Sequence, residues 1–190
     1  NDETLKILAA DYQNDEVLKN VLNTIRKRPI AMMQSKRRSN KNFKDLAKIA
    51  AEQLANPEGP RVAIFDIAGF DTHADQGGDS GQHAKKLQQF DSIIGTLEEE
   101  MGPSFENTII ASLTEFGRTV DQNGGSGTEH GYGSAILMAG GLLSKSKIIS
   151  DWPGLEKNNL FEGRDLNSSI DARSVYASIL ARVLDSDHKH

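Results

Sequence analysis

The stretch RVAIFDIAGFDTHADQ, residues 61–76, starts as an apolar run and ends as a cluster of polar groups. Its first half is rich in strand formers and bounded by Pro60 and Gly69. A short continuous apolar run of this kind reads as a strand covered on both faces, the type found in parallel sheets. Its second half, GFDTHADQ, places Asp71 and His73 two positions apart, directly after the strand.

The pattern extends downstream. A polar loop (69–82) leads to a helix with the stripe Leu87, Phe90, Ile94, Leu97 and Met101, stopped by Gly102-Pro103. NTIIASL (107–113) reads as a second buried strand, so strand, loop, helix and strand make a right-handed βαβ unit. SAILMAGG (134–141) is a third candidate strand and SKIIS (146–150) a short fourth. A last helix follows, with Asp171 as its N-cap and Tyr176, Ile179, Leu180, Val183 and Leu184 on one face. The expected fold is α/β, a mostly parallel sheet with flanking helices, over residues 60–190.

Residues 1–59 read as a helical lead-in. Val17, Leu18, Val21, Leu22 and Ile25 form one stripe that Pro29 interrupts. Phe43, Leu46, Ala47, Ala50 and Leu54 form a second, closed by Asn56, Pro57 and Gly59. This half is basic: residues 1–50 hold 11 Lys/Arg against 6 Asp/Glu, although the whole chain carries −5. The excess sits between Arg26 and Lys48. No aromatic residues interleave these arginines, as stacking on bases would want, so the patch reads as a solvated helical face and not as a nucleic-acid site.

Composition excludes several chemistries. With no cysteine there is no disulfide, no thiolate zinc site and no thiol nucleophile. No run approaches the roughly 18 apolar residues of a membrane span. There is no G-x-S-x-G elbow, P-loop or H-E-x-x-H motif. The chain opens on Asn1 without a methionine, signal peptide or anchor, as a processed protein, an excised domain or a fragment would. Oligomeric state leaves no mark in the sequence.

Ligands of open α/β sheets bind beyond the carboxyl ends of the strands. The first strand empties into Asp71 and His73, and the second into Thr114, Glu115 and Arg118. The long segment TEFGRTVDQNGGSGTEHGYG (114–133) has no periodicity and adds His130. A loop of that length inside a domain is often functional. Asp71, His73, Glu115 and His130 together make an oxygen-and-nitrogen set suited to zinc, manganese or iron, with calcium a further divalent candidate. Arg118 would clamp an anion by a bidentate contact, and Glu115 would serve as a further ligand or general base. Asp66, a charge inside the first strand, is a candidate partner of the same site.

Each residue also has a structural reading: an Asx-turn for Asp71, a carbonyl partner for His73, a Glu115–Arg118 pair across the turn, an exposed loop position for His130. His83 and the tail residues His188 and His190 read as surface groups. Thr72, Thr114, Thr119 and Ser126 lie near the candidate site, but no local feature promotes one of them to a nucleophile.

GFDTHADQ, TEFGRTVDQNGGSGTEHGYG, MAGG followed by WPGL (152–155), and DARSVYASILARVL (171–184) occur in one order. In that order they resemble the family called domain of unknown function 1501, over residues 60–186. That family is similar to the alkaline phosphatase and sulfatase superfamily. The resemblance implies an exported or periplasmic bacterial protein, a helix-sandwiched sheet of which this chain is a C-terminal portion, and metal-assisted hydrolysis of a phosphate or sulfate ester. It places Asp71, His73 and His130 at one metal, and Phe116 where a second site would have a histidine. No candidate for the superfamily's nucleophile is found. The other reading is a non-catalytic module on the same fold that binds an anionic ligand or a partner protein.

Overall fold

Alanine and long unbranched side chains dominate FKDLAKIAAEQLA, and these lose little freedom in a helix. They form α1, Phe43–Ala55, in the computed structural model, which describes residues 43–184. The stripe Val17–Ile25, the basic stretch as far as residue 42 and the tail histidines lie outside the described residues. Helix α2, Gln82–Met101, lies against α1. Ala47 and Ala51, one turn apart on α1, are fully buried, and their small side chains let the helices approach closely. From α2 they meet Ile93, Leu97 and Met101, the only other buried apolar residues of this core among the described residues. Lys48 and Glu100 close the rim of the pair at 2.8 Å, so this member of the basic stretch serves helix packing.

The buried face of α2 is centred on Ile93 and Leu97, while Leu87 of the expected stripe is exposed. Gly102 ends α2 in a left-handed conformation (φ 51°), with its N–H bonded to the Glu98 carbonyl, and Pro103 follows. A 3-10 turn, Gly102–Asn107, leads into β1, Ile110–Ala111. Three further two-residue strands follow: β2 (Gly117–Arg118), β3 (His130–Gly131) and β4 (Met138–Ala139). The last helix, α3, spans Ala172–Leu184. Asp171 caps it: its Oδ1 accepts the Arg173 N–H at 2.9 Å. Tyr176 fastens α3 by donating its hydroxyl to the Ser112 carbonyl.

The expected mostly parallel sheet with flanking helices is not formed. β1 pairs with β4 and β2 with β3, each pair antiparallel and two-stranded, with Ile110 opposite Ala139 and Arg118 opposite His130. Residues 61–68 and 146–150 join no strand, so the βαβ unit is absent as well. The exposure of 61–68 gives the physical reason. Phe65 and Ile67 pack on the α1–α2 core, whereas Ile64, Asp66 and Ala68 between them are exposed, Ile64 at 90%. That alternation has the period of a strand with one covered face. An apolar run signals extended chain and burial, but it does not supply the neighbour whose N–H and C=O groups complete a parallel ladder. Ile148, 93% exposed, repeats the point for 146–150.

The stability of the described region therefore rests on a few side chains. Ile93→Ala should cost about 2–5 kcal/mol in urea unfolding, as truncation of a fully buried aliphatic does, whereas Ile64→Ser should stay within about 0.5 kcal/mol of wild type. Equal effects would refute this assignment of the core.

Asp171 supplies a test in pH. The hydrogen bonds from the Arg173 side chain and backbone lower its pKa to about 2, below the usual range of an aspartate. A depressed carboxylate stabilises above its unfolded pKa and loses that contribution as pH falls through the folded one. The melting temperature of Asp171→Ala should thus lie below wild type at neutral pH, and the two should converge between about pH 4 and pH 2.

Candidate metal centre

The β2–β3 hairpin and the loop 69–76 build one site. Asp75 and Gln76 donate their N–H groups to the carbonyls of Gly125 (3.0 Å) and Ser126 (2.9 Å), and Thr128 donates to Thr72 at 3.2 Å. Close backbone contact needs a bare Cα: a Cβ on Gly127 would lie 2.3 Å from the His73 carbonyl carbon. Ser126 turns the hairpin with φ 60°, a left-handed conformation.

Arg118 welds the two segments together. Nε donates to Thr128 Oγ1 at 2.9 Å, Nη2 to the carbonyls of Thr72 (2.9 Å) and Thr128, and Nη1 to Asp71 Oδ1. A guanidinium has five N–H donors, and four of these are engaged inside the protein. Arg118 thus positions the site, and little of it is left to clamp an anion.

The result is a triangle of ligand atoms. Asp71 Oδ1 lies 3.0 Å from His73 Nε2 and 3.1 Å from His130 Nε2, and the two ring nitrogens are 3.1 Å apart. His73 Nδ1 faces Glu129 Oε2 at 3.0 Å. A carboxylate only accepts, so His73 Nδ1 is the donor in this contact, and Nε2 is the ring atom that faces the triangle. Glu129 is in turn held by Asn123, whose amide donates to Oε1 at 2.5 Å and to the His73 carbonyl at 2.9 Å. Phe116 stacks on the His130 ring, with centroids 3.8 Å apart.

Charge at the site follows from these contacts. Desolvation pushes the Asp71 carboxyl up, but the Arg118 hydrogen bond and the neighbouring imidazoles outweigh it and hold it below the usual range. The Glu129 carboxyl is also lowered, first by the Asn123 hydrogen bond and then, against desolvation, by His73. Both acids are therefore anions at neutral pH, one on each side of the His73 ring.

Of the residues expected at the site, Asp71, His73 and His130 meet, and Arg118 supports them. Glu115 and Asp66 do not join. Both side chains are exposed, and neither belongs to the cluster. Glu115 sits in the bend that precedes β2. Glu129 and Asn123 are the groups sequence reasoning passed over. The Glu129-His130 dipeptide was the available signal, since a histidine that ligates a metal usually has a carboxylate behind another histidine of the set. His83 is not a plain surface group: its ring meets Phe70 edge-on at 5.9 Å.

A helical pair carrying hairpins, with a histidine–carboxylate triangle held between a loop and a glycine-rich turn, is thus the class of protein that fold and site define. Residues 13–188 match the family described as "Protein of unknown function (DUF1501)", and the chain belongs to that family. No curated protein and no solved structure matches it.

Replacing Arg118 with Lys removes a fork that reaches four acceptors with one rigid group. Arg118→Lys should lower stability by about 1–3 kcal/mol, and hydrogen exchange of the amides of Asp75, Gln76 and Thr128 should accelerate. Unchanged protection at those three amides would contradict the welding role.

Proposed function

We propose that the chain is a metal-dependent hydrolase that acts on a phosphate or sulfate ester, with a single divalent ion held by Asp71, His73 and His130. The observation that carries this reading is the triangle itself. One carboxylate oxygen and two imidazole nitrogens converge within 3.1 Å of one another, a donor set that one cation can bridge. Ligand atoms on a tetrahedral ion with bonds of about 2.0–2.1 Å stand about 3.3 Å apart, close to the spacings in the triangle. Imidazoles favour zinc, manganese or iron, and a calcium site would be built from oxygens. Three protein ligands leave a position for water or substrate, as in catalytic sites and unlike closed structural ones.

When bound, such an ion supplies Lewis acidity and a water acidic enough to attack at neutral pH. The protein's own residues do the rest. Glu129 holds the His73 tautomer, Asn123 holds Glu129, and Arg118 fixes Asp71. Side-chain hydroxyls near the site are engaged elsewhere: Thr72 and Thr128 donate to Gln76 Oε1, both at 2.9 Å, and Thr119 donates to the Asp121 carbonyl. The motif order that suggests kinship with the alkaline phosphatase and sulfatase superfamily, and with it an exported location, supports the choice of ester. No helix among the described residues is long and apolar enough to cross a membrane.

Calorimetry with Zn²⁺ or Mn²⁺ should give one site per chain. Asp71→Ala and His130→Ala should weaken it at least about tenfold, while Glu115→Ala should leave it as in wild type. Affinity should fall as the solution is acidified, because protons compete for both imidazoles. Wild-type affinity in the two site variants would overturn the proposal. Binding without chelator-sensitive turnover of aryl phosphate or sulfate esters would favour the ligand-binding module instead.

A further inference from the structure

Two of the three ligand side chains are held from behind by polar groups, and the third is not. Arg118 bonds Asp71, and Glu129 accepts from His73 Nδ1 at 3.0 Å. His130 makes both of its polar contacts through Nε2, to His73 Nε2 and Asp71 Oδ1, each at 3.1 Å. Its Nδ1 has no hydrogen-bond partner among the described residues. A histidine that ligates a metal usually donates its other nitrogen to a carboxylate, a carbonyl or water, and that contact orients the ring. The His130 side chain is also half-exposed, so burial in a core does not orient it either.

What the ring does have is a flat neighbour. Phe116 lies against it with centroids 3.8 Å apart and planes 17° from parallel. That is contact distance between carbon atoms, so turning the imidazole about its Cβ–Cγ bond would drive it into the phenyl ring. The hairpin builds this contact. Arg118 stands opposite His130, and Phe116, two residues before Arg118, shares that face of the strand. It therefore sits diagonally across from His130, a separation that aromatic side chains span. Gly131 keeps the strands close: a Cβ there would lie 2.5 Å from the Arg118 carbonyl carbon. Phe116 is not among the apolar residues packed on the Ile93 core, and its stacking partner is the His130 ring.

We infer that Phe116 is the positioning residue of His130: its face fixes the plane of the imidazole and so keeps Nε2 in the triangle. This rests on the metal site proposed above. The three ligands then have three different supports, a guanidinium for Asp71, a carboxylate for His73 and an aromatic ring for His130. An aromatic support works by shape, through the flat face that one ring offers another. It is lost when the flat face is lost, even if apolar bulk remains.

The test compares Zn²⁺ binding by calorimetry in wild type, in Phe116→Tyr, which keeps a flat ring, and in Phe116→Leu, which keeps apolar bulk without one. Phe116→Leu should weaken binding about tenfold, the lower end of what losing a support behind a metal ligand costs, and Phe116→Tyr should stay within about twofold of wild type. Visible absorption of the Co²⁺-loaded protein reports the geometry of the ligands. Phe116→Leu should shift that spectrum, and Phe116→Tyr should leave it in place. Hydrogen exchange at the amides of Asp75, Gln76 and Thr128 should match wild type in both variants, which shows that loop and hairpin remain docked. Wild-type affinity or an unshifted Co²⁺ spectrum in Phe116→Leu, or equal losses in both variants, would overturn the positioning role. So would lower affinity accompanied by faster exchange at the three amides, because Phe116 would then only hold the hairpin together. Zn²⁺ binding that is indifferent to the Phe116 variants sinks this inference alone, whereas a wild-type protein that binds no Zn²⁺ sinks the metal reading itself.

Discussion

The Arg118 guanidinium ties two distant pieces of chain into one object. It bonds Asp71 and the Thr72 carbonyl on one side and both oxygens of Thr128 on the other. Without a charged fork at that point, the loop and the hairpin would be linked mainly by a few backbone hydrogen bonds, each worth only about 1 kcal/mol net. Everything proposed for the site, including the spacing of the triangle, depends on this junction being held. The glycines of the hairpin matter for the same reason. They let the His73 backbone come within contact distance of Gly127, and a side chain there would push the imidazole away from its partners.

A second constraint is the order in which the groups depend on one another. Asn123 holds Glu129, Glu129 accepts from His73 Nδ1, and His73 Nε2 then stands beside Asp71 and His130. A histidine without a carboxylate behind it can exchange tautomers, and a metal site built from it would be loose. The arrangement shows why a loop with no periodicity needs so many small and amide side chains. Its residues are chosen for hydrogen-bond geometry and close approach, and only the helices below are chosen for packing.

The architecture around the site is sparing. Two helices supply the buried apolar core among the described residues, and two short antiparallel pairs supply the regular strand. Ile64, Leu113 and Ile148 are left in solvent, so the apolar content of the chain exceeds what the described packing buries.

Local chemistry was legible without coordinates. The Phe43 and Leu87 stripes marked helices because a 3.6-residue period is a property of the helix itself, and Gly102-Pro103 and Asp171 marked ends because caps act within one turn. Asp71, His73 and His130 stood out because short polar motifs beside apolar runs are rare and legible as such. The sheet was not legible: an apolar run such as 61–68 says that its residues seek cover, but a ladder partner is a long-range pairing that no period inside the run encodes. Glu115 was expected at the site and Glu129 was passed over for a related reason. Which of two nearby acids reaches a histidine depends on strand phase and on how one loop docks against another, and only the folded chain decides that.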